Sequence, residues 1–127
     1  MSTLFQDDRG QATVELALCL PILAFLMVGL VEVGALVGDK ARLEHAAREA
    51  ARVAIVSDDE NAALSAAMDS GLDDLEIEID PRPELRVQGE PLTVRLAHSP
   101  SGKVPILGTL LSRVRLEAGA VMRIERP

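Results

Sequence analysis

The feature that most limits what this chain can become is an apolar run from Gln11 to Gly38, QATVELALCLPILAFLMVGLVEVGALVG. No charge appears from Leu16 to Val31, and Glu32 is the one charge between there and Asp39. Read as helix, these residues reach roughly 42 Å, more than a hydrocarbon core of about 30 Å. The run is a membrane span, or a helix built from one. Residues 1–10, MSTLFQDDRG, are polar and carry Asp7, Asp8 and Arg9, whereas a secretory signal begins with a basic region. No small-x-small cleavage site ends the apolar run either. The ten residues read as a leader to be removed or as the flank of a plain signal anchor.

Within the run, five residues stand out. Glu15 is a carboxylate in a segment that should exclude one, at a cost of several kcal/mol unless it is paired or close to the interface. It either snorkels to the headgroups one turn away or has work to do. Pro21 removes a helix hydrogen bond and loosens the helix there, although spans tolerate proline. Gly34 and Gly38 form a G-x-x-x-G spacing, which lets a second helix approach closely. Glu32 lies about 31 Å along the helix from Gln11, near the far headgroup layer, and reads as interfacial.

The segment Arg9-Gly10-Gln11-Ala12-Thr13-Val14-Glu15 resembles a prepilin processing site, in which a peptidase cuts after a glycine and leaves a glutamate as the fifth residue of the mature chain. With HAAREAAR at His45 to Arg52, the chain resembles the TadE-like minor pilins, or pseudopilins, of the tight-adherence (Tad, Flp-type) pilus system. The resemblance implies cleavage between Gly10 and Gln11. It also implies an assembly role for Glu15, pairing with the new amine of Gln11 on a neighbouring subunit. Pro21, Gly34 and Gly38 join Glu15 as assembly positions. The partners implied are a prepilin peptidase, other pilins, the Tad membrane platform with its secretion ATPase, and the membrane itself. Residues 1–10 would be the leader, 11–38 the transmembrane and assembly helix, and 39–127 an exported domain. This gives a single-pass protein of the cytoplasmic membrane, its N-terminus inside, its domain outside or at the cell surface. Charge counting argues the other way, because Lys40, Arg42, Arg48 and Arg52 follow the span and only Arg9 precedes it. The competing reading is an unprocessed, bitopic anchor for a binding domain.

Composition bears on what the exported part can do. Both phenylalanines, Phe5 and Phe25, precede Gly38, and the chain has no Trp or Tyr. The domain must build its core from Leu, Val, Ile, Ala and Met. A formal charge of -7, without clustered Lys and Arg or aromatic platforms, argues against nucleic acid as a partner. The single cysteine, Cys19, permits no intrachain disulfide. His45 and Glu49, one helical turn apart, lack a third ligand, and Asp69, Asp73 and Asp74 match no calcium loop, so no metal or other cofactor is expected. His98 beside Ser99 lacks an oxyanion motif and an orienting acid, so His98 to Gly102 reads as a turn and the protein does not read as an enzyme.

The remaining pattern sets the fold class as α+β, pilin-like: a long N-terminal helix, a short helix and a small antiparallel sheet. Asp39 to Val56 continues the helix, with Leu43, Ala47, Ala50 and Ala54 on one face. Glu44 precedes Arg48 by four, the favourable order for an ion pair. Ser57 with Glu60 reads as a capping box for a helix ending at Gly71. Leu75, Ile77 and Ile79 alternate with acids as a strand, and Leu85 to Val87 begins a second. Leu92 to Ala97 and Val114 to Glu125 alternate as two more, with Glu76 and Glu78 set to face Arg86, Arg95 or Arg123. The segment Val104 to Leu111 is too apolar for an ordinary loop and reads as a short covering helix or a contact patch.

Overall fold

A computed structural model describes residues 8–100 and 113–125. The first element, α1, spans Asp8–Ala54, 47 residues without a break at Gly10, Pro21 or Gly38. Its length is about 70 Å, roughly twice what a hydrocarbon core requires. A second helix, α2 (Glu60–Met68), and three strands follow: β1 (Leu75–Asp80), β2 (Pro91–His98) and β3 (Leu116–Arg123). The sheet is antiparallel in the order β1-β2-β3. This is the expected α+β architecture, a small head built on the C-terminal part of one long helix.

The head is organised by period. On the inner face Ile79, Val94 and Ala120 stand in one row across the strands, and Ile77, Leu96 and Ala118 in the next. Leu92, Val94, Leu96 and the two alanines are buried there. Opposing them, α1 presents Leu43, Ala46, Ala47, Ala50, Ala51 and Ala54, every one at most 2% exposed. Small side chains on both surfaces let helix and strand come close, so the contact relies on many close atom pairs. The largest fully buried side chains are Leu43, Leu92, Leu96 and Val94, each contributing about 1.5–3 kcal/mol by burial. The short helix α2 closes the side of α1 through Ala63 and Ala67.

The outer face of the sheet is charged. Glu78 stands opposite Arg95, with the guanidinium 3.7 Å from the carboxylate, and Arg115 reaches Glu76 at 2.6 Å. Arg95 thus meets one of the anticipated acids, while Arg123 lies at the far end beside Pro91. Along α1, Glu44 pairs with Lys40 at 3.7 Å, one turn before the expected Arg48. Lys40 also donates to the Glu117 carbonyl, which draws it toward the sheet. Exposed pairs of this kind contribute about 0–1 kcal/mol each.

The connection between α2 and β2 departs from the sequence expectation. Leu85 to Val87 forms no strand: Pro83–Leu85 is a single 3₁₀ turn, and Leu85 and Val87 point to solvent. The reason is Arg86. Its side chain, 2% exposed, donates from Nη1 to the carbonyls of Ala54 (3.3 Å) and Ser57 (3.1 Å), and from Nε to Pro81 (3.1 Å), with the Asp58 carboxylate at 3.4 Å. A guanidinium at the end of α1 satisfies carbonyls that lack helical donors and faces the negative end of the helix dipole. That demand sets the backbone here, not strand pairing.

Two further details differ. The cap of α2 is Asp59, which accepts from the Asn61 amide at 2.9 Å, and Ser57 instead accepts from the Asp59 amide at 3.1 Å. Two cap-competent side chains two residues apart act in series, and the second starts the helix. The helix ends at Met68, and Gly71 takes the turn that follows with φ +76°. His98 is the last residue of β2, not part of a turn. It is 8% exposed, with Nδ1 2.7 Å from the Asp73 carbonyl. The segment 104–111 lies outside the described residues.

Candidate functional site

Outside the head, the bare part of α1 is the feature that most needs a purpose. From Gly10 to Phe25 each residue is exposed, and Val14, Leu18, Ile22 and Phe25 are each at least 60% so. An 18-residue stretch of this helix has a mean hydropathy of 2.5, and none of it is buried by the rest of the chain. A helix this apolar with no protein cover is compatible with a single-pass membrane anchor, the bilayer supplying what the head does not.

Gly10 and Gln11 lie in the first turns of α1, open to approach from every side. Gln11 Nε2 donates to Glu15 Oε1 at 3.0 Å. The pair sits one turn apart, where side chains on a helix meet. A carboxylate near the edge of an apolar run therefore has a donor within its own chain, which reduces the cost of placing it there. Considering Gln11 only as a future N-terminus overlooks this contact, although an amide four residues before a carboxylate signals it. Pro21 sits in the exposed helix and gives up the amide that would bond the Ala17 carbonyl.

Gly34 and Gly38 occupy a different quarter. At about 100° per residue, Gly34 lies roughly 180° from Leu43 around the helix axis. It therefore faces away from the stripe that holds the head. A methyl group added at either glycine would meet nothing within 4 Å. Among the described residues, none packs on this strip. Glu32, by contrast, lies within about 20° of Leu43 on the head-facing side. It is 5% exposed. Distance along the axis alone did not reveal which face it takes.

The structure thus brings Gln11 and Glu15 together and leaves Gly34 and Gly38 about 30 Å farther along the helix. Among the described residues, no three His, Cys, Asp or Glu side chains gather as metal ligands. His45 is exposed, one turn from the half-buried Glu49.

Comparison with known proteins finds a family over this helix. Residues 10–52 match the family described as TadE-like protein. The match begins at Gly10 and ends at Arg52, so it covers the bare segment and most of the alanine face that carries the head. No curated protein and no solved structure matches the chain. Over residues 10–52, from the glycine before Gln11 to the last turn of its long helix, the chain is similar to the TadE-like family.

Proposed function

We infer that the chain is a structural minor pilin, or pseudopilin, that takes part in assembling a Tad-type pilus. It waits in the cytoplasmic membrane as a single span, with its head outside. A prepilin peptidase removes residues 1–10. The mature helix then moves from lipid into contact with other pilin helices, drawn by Glu15 and a neighbour's Gln11 amine. Charge attraction of this kind is far stronger in a helix bundle than in water. Other pilins, the Tad membrane platform and its secretion ATPase are the remaining partners. Pro21 eases stretching of the helix as it leaves the bilayer. Gly34 and Gly38 offer a neighbouring helix close approach on the side the head leaves free.

The observation that carries this reading is the family match over residues 10–52. It falls on a helix whose apolar surface the chain's own fold leaves uncovered. Mass spectrometry of the protein from its native membrane tests it. A mature N-terminus at Gln11 is expected. An intact Met1 would instead support the unprocessed anchor for a binding domain.

A further inference from the structure

Removal of residues 1–10 has a chemical consequence fixed by the identity of the next residue. An N-terminal glutamine can consume its own amine. The α-nitrogen lone pair attacks Cδ of the side-chain carboxamide and forms a five-membered lactam. The Cδ–Nε2 bond breaks, a proton passes from the attacking nitrogen to the departing one, and ammonia leaves. No oxidant or second reactant is needed. The product has a neutral N-terminus, which could not pair with a neighbouring carboxylate.

In the folded chain Gln11 is not free to do this. Its carboxamide extends along the helix toward the C-terminus, with Nε2 donating to Glu15 Oε1 at 3.0 Å. That hydrogen bond draws the carboxamide toward Glu15 and ties down the nitrogen that must leave. We propose that Gln11 of the processed chain is a latent cyclisation site and that Glu15 guards it, by holding the carboxamide within the same chain. The proposal rests on the processing reading given above. It adds a second task to Glu15: the carboxylate preserves, in its own chain, the kind of amine that assembly requires from a neighbour. The helix frame is part of the guard, because only the i, i+4 geometry brings the two side chains together. An ammonium paired to the same carboxylate would also lack a free lone pair with which to attack.

Two measurements separate the proposal from the reading beneath it. In the first, the N-terminal peptide of the native membrane protein is weighed. In the second, the full mature chain, residues 11–127, is released in detergent micelles from a fused leader by a protease that leaves Gln11 first. Loss of ammonia is then followed over time for the wild type, Glu15→Ala and Glu15→Gln. Glu15→Ala should cyclise several-fold faster than the wild type. Glu15→Gln, which keeps a carbonyl acceptor at the same place, should fall between them. Equal rates for wild type and Glu15→Ala would overturn the guard while leaving processing untouched. An intact Met1 in native membranes would overturn the processing reading, and the guard with it. Circular dichroism of the three mature proteins shows whether helix content is the same, so that a rate difference reports the side chain and not a frayed helix.

Discussion

Gly10 and Glu15 have separable tasks under the assembly reading, and substitution separates them. Gly10→Ala places a side chain at the bond the peptidase must reach, so the chain should remain uncut, with Met1 detected by mass spectrometry. Glu15→Ala removes a carboxylate five residues beyond that bond. Cleavage should continue while pili are lost, counted by electron microscopy, and normal pili would refute the role given to the carboxylate. Arg86 is a residue of another kind. It joins the end of α1, the Pro81 carbonyl and Asp58 with one buried guanidinium. Arg86→Ala should lower the stability of the head by about 2–4 kcal/mol, because it strands carbonyls and leaves a void. Arg86→Lys should recover only part of this, since an ammonium lacks the planar fork that reaches several acceptors at once. Denaturant unfolding followed by circular dichroism measures both.

At the scale of elements, α1 divides by face as well as by length. Its last third is buried against the head through alanines, and Ala47 and Ala50 are both fully covered. Ala50→Leu should therefore cost about 1–3 kcal/mol by overpacking. Gly34→Leu and Gly38→Leu fall on the opposite, open side and should leave head stability unchanged while weakening helix association, read by cross-linking in the membrane. If either glycine variant destabilised the head, the division of faces would be wrong. The alanine stripe and the strands β1, β2 and β3 were legible in the sequence because burial on one side imposes a period of 3.6 or 2 on the residues. The Gln11–Glu15 contact follows from an equally local spacing of four residues. The strand expected at Leu85 to Val87 failed because alternation of Leu, Arg and Val also suits a turn that buries its arginine, and the acceptors are as distant in sequence as Ala54. His98 was misplaced likewise: it is buried against the Asp73 carbonyl, 25 residues away, a contact that no local pattern encodes. The orientation of Gly34 and Gly38 away from the head had meaning only once the docking face of α1 was known.

At the scale of the whole molecule, one helix has a bare apolar half and a half built into the head. The segment from Leu43 to Ala54 shares a core with β2 and β3, whereas the segment from Gly10 to Phe25 contributes nothing to that core. With no aromatic side chain beyond Phe25 and a core dominated by alanine, the head has little stability to spare. It cannot lose the α1 face without losing its fold. Hydrogen exchange should therefore find the amides from Leu43 to Ala54 opening together with those of Leu92 to Leu96, as one cooperative unit. The amides from Ala12 to Leu30 should behave differently. They should be strongly protected in a bilayer, less so in short-chain detergent, and loosest near Ala17, where Pro21 supplies no donor. If the two halves of α1 instead exchanged in step under every condition, the helix would act as a single rigid anchor. Under the assembly reading the helix leaves the bilayer while its head stays folded, and this requires the opposite result: an apolar half that responds to its surroundings, and an alanine-faced half that does not.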